Sequence, residues 1–486
     1  MAGTLTGSFT VDSSAPAGGY TLTVQTDAGP IDSATSNFSV IPTYTVTFHT
    51  DTSSATVTVD SASKTDGATG TYTSGARVHV VANAPSGYQF SYWETNGVSV
   101  DSTPLQDTYM TVNNNGWLRA HFTKQLAVNV AGISQPYLLG FRVSNVYSYS
   151  ATGDSSYSST DWSPTEATFT VTLGPGESFF VIGTAQVWNS YASVGSSIAI
   201  TRNGIPVSGD MFAAGATITS RELATAVAVD TPSAGTYTYS LSAKTDPGGK
   251  AWISQPYIVG FRVSDANSGS AIGDFSYSTT GWSASPASFT VNLAAGESLF
   301  LIGTAQVWND DPSIGASIAV TRDGTLVSGD LFAAGATITS RELGTAIAVD
   351  TPGAGTYTYA LSAKTDPGGR AWISQPYVLG FKVSTVYSAS QVGDQYISKT
   401  SWSSARASFS ATLGAGDSIF LIGTAQVWNN NATIGSSMAI TQGDVRVSGD
   451  MFATGATITH RELAVAIAVS TPGAGTWTYA LSAKTD

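Results

Sequence analysis

The sequence predicts an all-β, multidomain protein in which three tandem β-sandwich repeats of 120 residues fill the C-terminal part of the chain. Three observations carry this. The heptapeptide Gly183-Thr184-Ala185-Gln186-Val187-Trp188-Asn189 returns 120 residues later from Gly303 to Asn309, and again from Gly423 to Asn429. That period is far beyond the roughly 20–50 residues of a solenoid unit, so each copy is long enough to own a core. Between turn signals the residues alternate apolar and polar with period two, as half-buried strands do. Composition agrees, because 42% hydrophobic and only 11% charged residues leave Ser, Thr and Gly to cover the outward positions.

A net charge of −13 speaks against nucleic acid or an anionic membrane as partner. With no cysteine there is no disulfide, thiolate metal site or cysteine nucleophile. No apolar run approaches a membrane span, and no basic-then-apolar leader is visible. The chain therefore reads as a fragment of an exported, extracellular or cell-surface protein whose export signal lies elsewhere. Asn37-Phe38-Ser39 and Asn431-Ala432-Thr433 are glycosylation sequons that suit such a location.

Taken in order, residues 1–42 give three short alternating segments, Gly7–Val11, Tyr20–Val24 and Asn37–Val40. They resemble the last strands of the Ig-like domains strung along prokaryotic surface proteins. Residues 43–125 run through Tyr44–Phe48, Arg77–Ala82 and the element Gly87-Tyr88-Gln89-Phe90-Ser91-Tyr92-Trp93, and close on Gly116–Phe122. This order resembles the divergent internalin-B-type B-repeat, which implies a small β-rich spacer or adhesion module at the cell exterior, with Trp93 in its core. His79 and His121 read as strand residues of that module rather than metal ligands.

The repeats span 126–246, 247–366 and 367–486, and meet at Pro247-Gly248-Gly249 and Pro367-Gly368-Gly369, which read as tight turns. Copy one offers strands near Leu138–Val143, Ala167–Leu173, Phe179–Val187, Ser197–Thr201, Ala226–Val229 and Thr236–Ala243. Asn203-Gly204 and Asp323-Gly324 predict type I′ hairpins, and a short helical turn is expected between Ala213 and Leu223. So many strands in so few residues mean a sandwich or jelly roll. The Trp162-Ser163 entry, the strand ending Gln186-Val187-Trp188, the hairpin at Arg202 and the final Tyr237–Leu241 strand resemble jelly rolls of the tumour-necrosis-factor/C1q type. Such domains assemble as trimers, so the resemblance implies a single-chain pseudo-trimer, with beads on a string as the competing picture.

Catalytic machinery in a tandem array should recur, and the only repeat histidine, His460, is matched by Ser220 and Ser340. A repeated Ser-His-Asp arrangement is thereby excluded, and no enzymatic activity is expected. Glu222, which follows Arg221 and recurs at Glu342 and Glu462, reads as half of a charge pair with an arginine of another strand. Loop acids Asp154, Asp210, Asp274, Asp330, Asp394 and Asp450 are candidate calcium ligands, although they lack a dense Asp-x-Asp loop. The recurring aromatics offer binding chemistry. Trp162, Trp282 and Trp402, with Trp188-Asn189, Trp308-Asn309 and Trp428-Asn429, are candidate ligand residues. Sugar faces stack on indole rings while amides read hydroxyls; the competing role for these tryptophans is core packing.

Two functional readings follow. One is non-enzymatic surface adhesion or structural display, with self-association through the repeats. The other is a multivalent carbohydrate-binding array for polysaccharide or cell-surface glycan, accompanying a catalytic domain outside this sequence.

Overall fold

The computed structural model describes residues 16, 18–24, 34–85, 87–124, 130–333 and 335–486, which form two compact units, 1–127 and 128–486. The all-β prediction holds, and no helix occurs among the described residues. In the first unit Gly18–Val24 pairs antiparallel with Ala34–Val40, and Gly7–Val11 lies outside the described residues. Residues 43–124 form one seven-stranded sheet in which Thr43–Thr50 runs parallel to the long strand Asp107–Lys124. Trp93 sits in its core and donates its indole N–H to the Leu105 carbonyl at 2.8 Å. His79 reaches Asp107 at 2.6 Å, and His121 lies 3.0 Å from both Asp51 and Glu94.

In the second unit each sandwich has two sheets. The inner sheet of the first places the lead strand of copy two, Ala251–Val263, beside the central strand Ser178–Asn189, which borders the axial strand Glu222–Asp230. The outer sheet joins Ser163–Leu173, Gly235–Thr245 and Ser196–Arg202. The Pro-Gly-Gly joints therefore do not separate sandwiches: the strands on either side of a joint lie in opposite sheets of the same one. The chain passes to the next sandwich only after the lead strand. Ala371–Val383 completes the second sandwich in the same way, and the third is completed by Ala131–Val143, from the start of copy one, paired with Ser418–Asn429. The ring is closed by its own first strand.

That closure makes the unit a pseudo-trimer rather than beads. Along each lead strand, alternation sends Ile133 and Leu138 into the third sandwich and Leu139 and Phe141 towards a core common to all three. Six phenylalanines meet there. Ring centroids 5.1–5.4 Å apart run in a closed cycle through Phe141, Phe300, Phe381, Phe180, Phe261 and Phe420. The axial strands also trade leucines. Leu343 packs into the first sandwich, Leu463 into the second and Leu223 into the third.

Turn chemistry follows the residues. Asn203 and Gly204 both have positive φ, 49° and 82°, as a type I′ turn requires. The expected helical turn between Ala213 and Leu223 is instead a tight reversal, in which Thr217 and Ser220 exchange backbone hydrogen bonds. Gly215 beside it, at φ 76°, lies so close to the Thr339 carbonyl of the next copy that a side chain would collide.

Candidate functional site

The recurring heptapeptide ends the central strand, and each of its polar or aromatic side chains has a separate job. Gln186 lies in the inter-sandwich seam: its amide N–H donates to the Asp450 carbonyl at 3.0 Å, and Gln306 does the same to Asp210 at 3.2 Å. The lead strand answers with Gln255 and Gln375, whose side-chain oxygens accept the backbone N–H of Asp450 and Asp210. These glutamines stand at β-bulges with φ near 48°, where the ladder is broken, and the following proline needs no N–H partner.

Asn189 is buried, and its amide donates to Gly195 O, Ser196 Oγ and Thr245 Oγ1 while its oxygen accepts from Tyr191 N. Asn309 and Asn429 repeat this clamp. With the amide committed to the loop, these asparagines hold structure instead of reading a ligand.

Trp188 and Trp308 are each only 2% exposed, and contribute to the inner walls of the clefts beside them. Each is the buried leaf of a stack. Arg221 lies over Trp188 at 4.1 Å, and on the other side Trp252 of the lead strand stacks at 6.0 Å and 5°. Arg341, Trp308 and Trp372 repeat these distances. The outer indoles, Trp252 and Trp372, are half-buried and went unnoticed in the sequence. Their ring N–H groups donate to Ser190 Oγ and Asp310 Oδ1. Each outer indole walls a cleft. One, of about 330 Å³, is bounded by Asp154, Ser190, Thr217 and the exposed Ile218; the other, of about 220 Å³, by Asp274, Asp310, Thr337 and Ile338. The third sandwich departs: Gly132 of copy one stands where the outer tryptophan belongs, Trp428 packs against it, and Tyr396 meets Trp428 edge-on at 6.3 Å.

Trp162, Trp282 and Trp402 lie elsewhere, each half-buried beneath a lysine, with Lys244, Lys364 and Lys484 at 4.5, 4.6 and 5.3 Å. Trp162 opens on a cavity of about 390 Å³ that the Ser270–Ile272 hairpin and Gln375–Tyr377 also line. The loop acids do not converge. Asp210 and Asp330 are ion-paired to Lys244 and Lys364 at 2.7 and 2.5 Å. Asp450 faces Arg446 and Lys484, and Asp394 faces Arg461 at 3.3 Å. Lysine and arginine thus stand where calcium would have to sit. Asp154 and Asp274 remain on the rims of the tryptophan clefts.

The pairing expected for Glu222 is corrected. Arg221 donates to Gln186 Oε1 at 2.9 Å and stacks on Trp188, and no arginine or lysine pairs with Glu222, Glu342 or Glu462 among the described residues. All three glutamates are buried, at 2, 1 and 1% exposure. Burial raises their carboxyl pKa values, that of Glu342 to about 8, and like charge adds to the rise at Glu222 and Glu462. The sequence signal was an acid opening an otherwise apolar strand in every copy.

Residues 44–126 match the family model of the divergent InlB B-repeat domain, a surface-protein type of repeat, over almost the span read from the sequence. No curated protein matches the chain. Among solved structures, the VP2 subviral particle of infectious bursal disease virus is 11% identical over 73% of this chain and 81% of that one, with a TM-score of 0.18. Dimeric latent PorU from Porphyromonas gingivalis is 8% identical over 63% of this chain and 32% of that one, with a TM-score of 0.17. No helix among the described residues is long and apolar enough to cross a membrane.

Proposed function

We propose that the chain is a non-enzymatic, surface-displayed adhesion module whose pseudo-trimeric head binds glycans in the paired-tryptophan clefts. The observation that carries this is the outer indole of each pair, Trp252 and Trp372, fixed flat by the tryptophan behind it and facing an open cleft. A rigid aromatic wall with carboxylate, hydroxyl and amide groups on its rim suits a sugar ring, whose C–H face stacks while its hydroxyls are read by the rim. Two such clefts on one head let weak sites act together on a polymer, which raises avidity about 10²–10⁴-fold over one site.

The test is a glycan and polysaccharide binding screen of residues 128–486, followed by Trp252→Gly with Trp372→Gly. Copy one already carries Gly132 at this position, in the strand that completes the third sandwich, so the fold should tolerate the change. Loss of binding by at least about tenfold is the expected result. Binding that survives both substitutions, or no binding to any sugar by the parent, would leave protein adhesion or self-association as the role of the head.

A further inference from the structure

The head also carries a cluster that the tryptophan clefts do not explain. Glu342 and Glu462 are buried, and neither oxygen of Glu462 has a hydrogen-bond partner; the Glu342 carboxyl has only the backbone N–H of Leu463 beside it, and one oxygen of Glu222 is unpartnered. Nε2 of His460 lies 3.5 Å from Glu342 Oε1, and ligand atoms of Glu342, His460 and Glu462 all fall within 4.8 Å of one another. Unpaired buried carboxylates cost several kcal/mol each unless a cation or protons hold them, and the neighbouring arginines are engaged on the tryptophans.

We propose that these residues form a divalent-cation site, in which Glu342 and Glu462 supply one oxygen each and His460 supplies one nitrogen, so that the ion ties the axial strands of the second and third sandwiches together. The argument rests on geometry and on a break in symmetry. Metal–ligand distances of about 2.0–2.2 Å give a tetrahedral zinc site edges of roughly 3.3–3.6 Å, and the imidazole–carboxylate separation is 3.5 Å. Copies two and three give the two carboxylates. The third ligand comes from a position where the copies differ, Ser220 and Ser340 against His460. Nδ1 of His460 lies against Gly335, whose backbone hydrogen-bonds the ring. This orients the ring so that Nε2 faces the acids, as the outer partners of metal-bound histidines do. A nitrogen with two carboxylates in an enclosed space favours zinc or a similar first-row ion over calcium, which wants six to eight oxygens.

The experiment uses the intact chain, stripped with a chelator, and zinc chloride as the probe, with calcium and magnesium chlorides alongside. Titration calorimetry and elemental analysis should give about one zinc per chain, with calcium and magnesium binding at least about a hundredfold more weakly. His460→Ser, which restores the residue of the other copies, should keep the fold and lower zinc affinity at least about tenfold. Glu342→Gln with Glu462→Gln should abolish binding without lowering the melting temperature of the metal-free protein, because neutral amides replace unpaired acids. A stripped parent that takes up no zinc would overturn the proposal and assign the carboxyls to shared protons. Undiminished zinc binding by His460→Ser, or calcium binding tighter than zinc, would overturn it equally.

Discussion

The shared phenylalanine core makes a prediction that separates a fused trimer from three neighbours. Phe141 enters from the first strand of the repeat region, is 1% exposed, and lies 5.2–6.0 Å from the rings of Phe300, Phe420, Phe261 and Phe381. Truncation to alanine removes a full aromatic side chain from a site whose neighbours are strands of three different sandwiches and cannot easily collapse. Core Phe→Ala changes cost about 3–5 kcal/mol, and here the upper half is expected. For a unit of this size that is a fall in melting temperature of roughly 5–7 °C. The assay is scanning calorimetry of residues 128–486, parent against Phe141→Ala. If the core is common, the endotherm moves down as one peak, because the strand that carries Phe141 also closes the third sandwich. A new early peak holding about a third of the enthalpy would mean that the third sandwich melts alone. That outcome, or a shift under about 1 °C, would refute a shared core.

Small-angle scattering of the same residues should give a radius of gyration near 21 Å, the value for a compact body of this length; well above 30 Å would mean beads. Asn189→Ala should cost about 1–3 kcal/mol in urea unfolding, since it strands buried groups that the amide now satisfies. Glu177 and Glu297 are held below the usual carboxyl range by hydrogen bonds from Arg262 and Lys382, respectively, and by the backbone N–H groups of Gly174 and Ala294. A depressed folded pKa contributes stability above the unfolded value that is lost as pH falls through the folded one. Glu177→Gln with Glu297→Gln should therefore flatten the fall in melting temperature below about pH 4.5; an unchanged acid limb would refute the assignment.

Much of this architecture was legible in the sequence. The strands, the I′ turns at Asn203 and Asp323, and the three-part head follow from alternation, from residues that accept positive φ, and from the 120-residue period. What the period cannot supply is phase. A tandem repeat looks the same wherever it is cut, so nothing marked Ala251–Val263 as the last strand of one sandwich instead of the first of the next. The same limit hid the outer indoles. Trp252 and Trp372 sit opposite Trp188 and Trp308 only after the lead strand changes sandwich, and copy one shows glycine there. Burial adds to two readings: Trp188 is the back of a stack and Asn189 a loop clamp, because an inward-facing residue at a strand end meets its own loop, while both still border the cleft beside Trp252.

The departures among the copies make physical sense once the ring is closed. Arg202 and Arg322 form ion pairs with Asp230 and Asp350, and Tyr239 and Tyr359 donate to the same carboxylates. In copy three the arginine and the aspartate change together while the tyrosine stays. Gln442 accepts from Ser470, and Tyr479 donates to Ser470 instead. A lone Arg→Gln change would have left a half-buried aspartate without its cation, so the concerted swap argues that the Arg-Asp-Tyr set acts as one unit. Gly132, Tyr396 and His460 are further departures, and each bears on the third sandwich or on the axis beside it. This is the sandwich that a strand from the far end of the repeat region must complete. Identical copies would close the ring with three equal clefts and three axial serines. The three altered residues exchange one cleft for a packed tryptophan and one serine for a metal-binding nitrogen. The seam is therefore where a symmetric repeat acquires a single, non-repeated site, and its chemistry should be sought there first.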